Sequence, residues 1–252
     1  MSQWSWASAS TLGTSHARTG AKKQDAVRCF QFAPPTGPLV VAIADGAGSA
    51  SMGGPAAALV CRRFTSFCAD SLTANRKLPS EDAIWAWLDD TRDVIRRAAL
   101  VRGVAFREFS TTLIGVIARE HDGLIIHIGD GAVVATLADS PAWTALSWPK
   151  HGEYASTTYF VTDEPAPNLQ FSLIDAPIRR FAAFTDGLER LALDFASRTP
   201  FRPFCDGMIA PLINRGVPGC DTELSHQLKE YLCSEKVNSR TDDDKTIVLA
   251  SQ

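Results

Sequence analysis

The chain has 252 residues, of which 45% are hydrophobic and 21% charged, with a formal net charge of −3 and a pI near 6.0. Such a composition is typical of a globular protein, and its slight acidity argues against nucleic acid or an anionic membrane as a partner, since both favour basic surfaces. The sequence shows neither a secretory signal nor an apolar run of about 18 residues, so we expect a cytoplasmic protein without a membrane span.

Short apolar runs that are rich in Val, Ile, Phe and Thr predict seven strands. These runs lie at residues 26–32, 38–45, 110–118, 123–130, 132–138, 179–186 and 245–250. The three runs between residues 110 and 138 are separated only by short breaks, which predicts an antiparallel meander with tight hairpins.

Helices are predicted at residues 53–72, 80–103 and 221–235, with Ser80 and Asp221 as N-caps of the last two. Strands and helices cluster instead of alternating as in a doubly wound sheet. This order predicts an α+β fold, an antiparallel β-sandwich flanked by helices on both faces. We expect a single domain over residues 1–252, with a polar surface flap at about 147–170.

Aspartate recurs where the predicted strands end. Asp45 follows one strand in "IADG", Asp130 another in "IGDG" and Asp186 a third in "FTDG", while "TDDDKT" (241–246) precedes the last strand. If these strand ends converge, the carboxylates will repel one another unless cations neutralise them. A carboxylate cluster without His or Cys favours Mg²⁺, Mn²⁺ or Ca²⁺.

Asp-Gly pairs also have a simpler interpretation, because Asp accepts local backbone hydrogen bonds and Gly supplies positive φ in turns. Two further pairs, Asp122-Gly123 and Asp206-Gly207, are predicted to be plain turns. From the residues alone, a set of turns and a binuclear Mg/Mn hydrolase both remain open.

In their order and spacing, the motifs resemble the metal-dependent protein Ser/Thr phosphatases of the PP2C (PPM) family, most closely the compact bacterial forms. The matching stretches are residues 13–26, 40–54, 110–117, 126–132, 181–188 and 241–249. The resemblance implies a fold of paired antiparallel sheets flanked by helices (αββα), which agrees with the predicted elements. It also implies hydrolysis of phosphoserine and phosphothreonine by water activated at a binuclear Mg²⁺ or Mn²⁺ centre.

The resemblance further implies which residues hold two Mg²⁺ or Mn²⁺ ions. Asp45 would bridge the ions, and the Gly46 carbonyl would bind one of them. Asp186 and Asp243 would hold the other ion. Asp243 is preferred to its acidic neighbours because it lies three residues before Thr246, which is the family's spacing.

Two more carboxylates are implied by the same resemblance. Asp25 in "QDA" looks like the acidic residue that supports the second ion, through water. Asp130 would belong to a third, weaker metal site found in bacterial members.

The chain departs from the family's pattern where substrate is bound. Gly20 occupies the position at which bacterial relatives carry a phosphate-binding arginine. Arg18 and Lys22 become the candidates for that contact, with Lys23 and His16 as alternatives. Ala47 stands where some members have a histidine that is proposed as a general acid. Protonation of the leaving group would then fall to His16 or to a metal-bound water.

The resemblance implies a phosphorylated protein as substrate, such as a Ser/Thr kinase or its targets. An alternative is a catalytically weak PP2C-like module that binds phosphoproteins and regulates them, although such modules usually lose metal aspartates that this chain retains. A second alternative is an enzyme that acts within a regulatory switch on one dedicated partner protein.

Overall fold

A computed structural model of the protein describes residues 3–75, 77–150 and 158–252. The strands are β1 Ser5–Thr11, β2 Ala26–Gln31, β3 Leu39–Ala44, β4 Leu113–Ala118, β5 Gly123–Ile128, β6 Ala132–Leu137, β7 Ser140–Ser147, β8 Gln170–Ile174, β9 Ile178–Phe184, β10 Leu193–Asp194, β11 Thr199–Pro200, β12 Gly219–Cys220 and β13 Lys245–Ser251. The α-helices are α1 Thr14–Thr19, α2 Gly53–Asn75, α3 Glu81–Arg102, α4 Glu189–Ala192, α5 Arg202–Arg215, α6 Thr222–Leu232 and α7 Glu235–Asn238. Short 3₁₀ helices span Phe106–Phe109 and Asp186–Leu188.

The strands form two large sheets. One has the order β12-β1-β13-β9-β6-β7 and the other β2-β3-β4-β5-β8. All their pairings are antiparallel except that of β1 with the short β12. The predicted α+β class and antiparallel architecture are confirmed.

The two sheets pack face to face, and helices cover their outer faces. Side chains such as Val41 and Phe181 fill the space between the sheets. Helices α2 and α3 cover the five-stranded sheet, and α5 and α6 cover the six-stranded one. Strand β3 is consequently buried on both faces along its whole length. This explains why its sequence is a continuous apolar run without the polar alternation of a half-exposed strand.

The predicted meander is wrong at its third strand. Strands β4 and β5 form the expected hairpin, but β6 leaves them and pairs with β9 and β7 in the other sheet. The chain crosses between the sheets through Gly129, whose φ of +120° is open to glycine but strained for other residues. A side chain at Gly131 would bring its Cβ to 2.5 Å from the Phe184 carbonyl oxygen. The short glycine-rich segment between β5 and β6 therefore connects the two sheets, and Asp130 lies on this connection.

The predicted helices are confirmed, and the Ser80 and Asp221 side chains accept the expected capping hydrogen bonds from the backbone. The prediction of a turn at Asp206-Gly207 is wrong, because both residues lie inside α5. The Asp206 carboxylate binds no local turn amide. It accepts hydrogen bonds from Trp143 Nε1 (2.8 Å) and Arg202 Nε (3.0 Å).

The predicted surface flap falls partly outside the described residues, since 151–157 are not among them. Its end is anchored to helix α3. The buried Arg92 guanidinium donates hydrogen bonds to the carbonyls of Val161 (2.6 Å) and Asp163 (2.7 Å). Across the described ranges, no helix is both long enough and apolar enough to cross a membrane.

A carboxylate cavity at the strand ends

Four of the predicted aspartates line one cavity, and three of them come from the ends of β3, β9 and β13. Asp45 follows β3, Asp186 follows β9 and Asp243 precedes β13, and all three line a space of about 440 Å³. The cavity opens where the two sheets meet, because β3 belongs to one sheet and β9 and β13 to the other. Gly46, Asp130 and His16 line the same space.

Asp45 is held at the end of β3 by two threonines that precede β4. Its backbone N–H donates to Thr112 Oγ1 (2.9 Å), and its carbonyl accepts from Thr112 N (2.8 Å) and Thr111 Oγ1 (2.9 Å). These bonds fix the backbone of Asp45, so its carboxylate is directed by the sheet and not by a mobile turn.

The small residues after Asp45 are required by close backbone packing. A Cβ on Gly46 would lie 2.2 Å from the Gly53 carbonyl carbon, so a side chain would push the start of α2 away. The Gln24 amide nitrogen, oriented by its hydrogen bonds, donates to the carbonyls of Gly46 (2.6 Å) and Ala47 (2.8 Å). The Gly46 carbonyl is thereby fixed beside the carboxylates.

Asp25 lies buried behind Asp45 and is held by two hydroxyl groups. Thr185 Oγ1 (2.9 Å) and Thr246 Oγ1 (2.6 Å) both donate to Asp25 Oδ2. Among the described residues, Asp25 Oδ1 and Asp186 Oδ1 are buried and have no hydrogen-bond partner. A buried carboxylate oxygen without a partner is costly, so both atoms are available as ligands.

Burial and mutual repulsion raise the pKa of these carboxyls. Burial raises the pKa of Asp25 to about 6, against opposing hydrogen bonds from its two threonines. The pKa of Asp45 lies well above its usual value because of burial first, then the charges of Asp25, Asp186 and Asp243. For Asp186, burial and then the neighbouring Asp130 raise the pKa in the same way. Negative charge is therefore unfavourable here without a cation.

The donor set fits a hard divalent cation. The available atoms are carboxylate and carbonyl oxygens, which suit Mg²⁺ and Mn²⁺. Over residues 3–75, 77–150 and 158–252, no three His, Cys, Asp or Glu side chains are already arranged as a metal-binding group. Asp45 is instead close enough to Asp25 and Asp186 for their charges to raise its pKa, after burial. Binding a cation would require these carboxyls to release protons and turn toward it.

His16 is held at the edge of the cavity by a carboxylate that the sequence did not single out. Asp244 Oδ1 lies 3.0 Å from His16 Nδ1, and the same side chain accepts backbone hydrogen bonds from Gly13 (2.7 Å) and Gln24 (2.6 Å). Burial opposes ionisation of Asp244, but these three hydrogen bonds outweigh it and its pKa lies below the usual value. An ionised Asp244 thus ties the segment after β1 to the start of β13.

The two predicted phosphate-binding cations lie outside the residues that line the cavity. The Arg18 guanidinium is 71% exposed and pairs with Asp242 at 3.1 Å. Lys22 is exposed on the loop that follows α1. Their role in binding phosphate stays a prediction.

Asp130, at the crossover between the sheets, is buried and lines the cavity. Thr158 Oγ1 donates a hydrogen bond to its carboxylate. Asp130 is also the charged neighbour with the largest effect on the pKa of Asp186, so the two carboxylates are close enough to influence each other.

Sequence reasoning missed the residues that support the ligands. Thr185 and Asp244 each stand next to a predicted metal ligand, and Gln24 precedes Asp25 in "QDA". The available signal was their position inside the quoted motifs, because a polar residue adjacent to a ligand is often its hydrogen-bonding support.

Comparison with known proteins adds independent information. A family model described as Protein phosphatase 2C matches residues 12–233. The chain is also 34% identical over 254 residues to Serine/threonine-protein phosphatase 3 of Escherichia coli (strain K12), and the match covers 98% of each chain.

Two solved structures have a similar fold. Serine/threonine phosphatase Stp1 from Staphylococcus aureus superposes with a TM-score of 0.64 at 15% identity, covering 98% of this chain and 94% of that one. The catalytic domain of the serine threonine protein phosphatase PstP, solved in complex with two manganese ions, gives 0.61 at 17% identity, with 99% and 98% covered.

Proposed function

This chain belongs to the protein phosphatase 2C family, and we propose that its carboxylate cavity removes phosphate from phosphoserine and phosphothreonine with the help of two divalent cations. The enzyme class is that of a protein serine/threonine phosphatase, as for its relative of 34% identity. The observation that supports the site is the convergence of Asp45, Asp186 and Asp243 from three strand ends on one cavity.

Asp45, Asp186, Asp243 and the Gly46 carbonyl would hold the two cations, with Mg²⁺ or Mn²⁺ as the fitting ions. Asp25 supports them from behind Asp45, and Asp130 would contribute to a third, weaker site. The manganese ions of the PstP structure are consistent with this choice of metal. When bound, such cations supply the charge that acidifies a nucleophilic water and neutralises the phosphoryl oxygens.

The chain's own residues position this machinery. Thr111 and Thr112 fix the backbone of Asp45, and Thr185 and Thr246 keep one oxygen of Asp25 hydrogen-bonded. Because one oxygen is held, Asp25 can direct only the other one toward a ligand.

We assign leaving-group protonation to His16. Its Nδ1 is engaged by Asp244, so Nε2 is the nitrogen that would give a proton to the departing seryl or threonyl oxygen. Arg18 and Lys22 are proposed to attract the phosphorylated substrate from the rim, since both are exposed on the segment that carries His16. The substrate class would be a phosphorylated protein, such as a Ser/Thr kinase or its targets.

The test is phosphate release from a phosphoserine peptide with and without Mn²⁺. Asp45→Asn and Asp186→Asn should each abolish Mn²⁺-dependent release, while Asp70→Asn, on an exposed position of α2, should not. Circular dichroism would verify that the variants fold. Full turnover in either cavity variant, or wild-type turnover that survives complete metal removal, would overturn the proposal.

Binding without turnover is the outcome expected of the alternative, a phosphoprotein-binding regulatory module. Wild-type protein that binds the phosphopeptide and releases no phosphate with Mg²⁺ or Mn²⁺ would establish that alternative. Turnover restricted to a single phosphoprotein would instead indicate an enzyme with one dedicated partner.

A further inference from the structure

A second cavity lies on the helical side of the six-stranded sheet. Its volume is about 860 Å³, and its walls come from α4 and β10, from α5, α6 and α7, and from Leu249 of β13. This volume falls within the range of about 300–1,000 Å³ that is usual for small-molecule sites. The cavity shares no lining residue with the carboxylate cavity.

The interior of this cavity is apolar. Phe204, Met208 and Leu228 line it from the helices. Phe195 and Phe201 lie at its edge with 42% and 48% of their surfaces exposed, and they are the only exposed phenylalanines within the described part of the chain. Two exposed aromatic rings at the edge of an apolar cavity indicate a surface that a ligand could cover.

The charged groups that line the cavity are predominantly positive. Arg190, Lys236 and Arg240 are exposed, and none of them pairs with a carboxylate among the residues the structure describes. Asp194 is the one acidic residue in the lining. Its carboxylate already accepts hydrogen bonds from the backbone amides of Ala196 (2.9 Å) and Ser197 (3.3 Å).

We infer that this cavity binds a small anionic amphiphile, a molecule with an apolar body and a carboxylate or phosphate head. The apolar walls would cover the body, and the three unpaired cations would face the head. A volume of about 860 Å³ suits a small molecule, whereas a peptide helix needs a long groove. The inference does not depend on the proposed phosphatase mechanism.

Gly207 provides a test that blocks the cavity directly. It lies in α5 and lines the cavity, and an added Cβ would meet no heavy atom within 4 Å. Gly207→Leu therefore starts its side chain in open space at the cavity wall, and the change also removes a glycine from a helix interior, where it is unfavourable. Thermal melting followed by circular dichroism would verify that this variant folds.

Binding would be measured by isothermal titration with dodecanoate and dodecyl phosphate, each below its critical micelle concentration, and with dodecanol as the uncharged probe. Saturable binding of the wild-type protein should be at least about tenfold tighter for an anionic probe than for dodecanol. The two anionic probes distinguish a carboxylate head from a phosphate head. Gly207→Leu should weaken binding of the preferred probe at least about tenfold.

The contribution of the cations has its own variant and a control of equal charge change. Combined Arg190→Gln, Lys236→Gln and Arg240→Gln should reduce anionic binding to the level of dodecanol. Combined Arg97→Gln, Arg102→Gln and Arg107→Gln, at exposed positions in and after α3, should leave it unchanged.

Three results would overturn the inference: no saturable binding, equal affinity for dodecanol, or binding that survives Gly207→Leu. Self-association that Gly207→Leu abolishes, without amphiphile binding, would assign the cavity to a second copy of the chain. Tight binding of an apolar peptide alone would assign it to a protein partner.

Discussion

The Asp244 carboxylate and the His16 imidazole form a hydrogen-bonded pair at the edge of the carboxylate cavity, with 3.0 Å between Oδ1 and Nδ1. The pair joins two parts of the chain that are 228 residues apart in sequence. Because the same carboxylate accepts the backbone amides of Gly13 and Gln24, one buried side chain positions both the candidate acid and the segment before Asp25.

The role of His16 can be tested by changing the leaving group. His16→Ala should slow release from a phosphoserine peptide by about 10²-fold or more, because an alkoxide leaves poorly without a proton. Para-nitrophenyl phosphate has a good leaving group, so its turnover should change little. Equal losses with both substrates would contradict the role of His16 as the acid.

Asp244→Ala should affect both stability and catalysis. The change removes the acceptor of three hydrogen bonds and leaves buried amides unpaired, so unfolding in urea should become easier by about 1–3 kcal/mol or more. Phosphopeptide turnover should fall at least as far as in His16→Ala. If the free energy of unfolding did not change, Asp244 would not be what holds the segment between β1 and Asp25.

Asp25 should contribute a loss of stability to the metal-free protein as pH rises through the range in which this residue ionises. The pKa of Asp25 is about 6 in the folded protein, against 3.8 for an unperturbed aspartate. A raised pKa stabilises the folded state below pH 3.8, and this contribution is lost as pH rises to about 6. The loss is on the order of 3 kcal/mol for a shift of about two units.

Urea unfolding of metal-free Asp25→Asn between pH 4 and 7 provides the measurement. The variant keeps a carbonyl oxygen for Thr185 and Thr246 but has no charge, so this part of the pH dependence should disappear. Mn²⁺ should raise the stability of the wild-type protein at pH 7 more than that of the variant. Identical pH profiles would refute the assignment of this titration to Asp25.

Thr185 should be a positioning residue for the metal centre. Its hydroxyl donates to Asp25 Oδ2 and accepts the Thr246 amide at 3.1 Å. Thr185→Val removes both bonds at nearly constant volume and should weaken Mn²⁺ binding by about 10–100-fold. Thr185→Ser retains the hydroxyl and should restore most of the affinity in isothermal titration, which a simple packing defect would not show.

The sequence was most informative where one short motif contains both a strand end and its ligand. The strand-end motifs singled out Asp45 and Asp186, the family resemblance selected Asp243 among its acidic neighbours, and all three line one cavity. These aspartates stand at the ends of strands, and the sheets fix where those ends lie. Identifying the strand-end motifs was therefore enough to predict that the carboxylates are neighbours.

The remaining features depend on contacts between distant parts of the chain. Asp244 stands beside the predicted ligand Asp243, but its partners Gly13 and Gln24 lie more than 200 residues earlier, so the motif alone does not show what it binds. The crossover of β6 was missed because the break around Gly129 has the length of a hairpin turn. Only the tertiary structure reveals that the chain passes to the other sheet there.

Arg92 should be essential for the order of the segment that borders the cavity. Its guanidinium donates to the buried carbonyl of Val161 and to the half-buried carbonyl of Asp163, close to Phe160, which lines the cavity. Arg92→Met leaves both carbonyls without this donor and should lower the free energy of unfolding by about 2–4 kcal/mol. Arg96→Met, at a half-exposed position one turn later, is the control and should change it by less than about 1 kcal/mol.

His127 should make the protein sensitive to acid. It lies fully buried in β5, where burial and then Lys150 lower its pKa to about 3, and Gln170 Nε2 donates to its Nδ1 at 3.2 Å. The folded protein therefore keeps this ring neutral while the unfolded chain binds a proton near pH 6.5. A lowered pKa means that stability is complete above pH 6.5 and is lost as pH falls toward 3.

The slope from this one group approaches about 1.4 kcal/mol per pH unit below pH 6.5. Urea unfolding of the wild-type protein and of His127→Gln at pH 7, 5.5 and 4.5 would measure it. The variant lacks the titrating ring, so its loss of stability between pH 7 and 4.5 should be smaller.

His226→Gln, in which the histidine is 70% exposed, is the matched control and should retain the wild-type slope. The His127→Gln variant removes only the titration of His127. If it also retained the wild-type slope, the acid sensitivity would have to come from other groups.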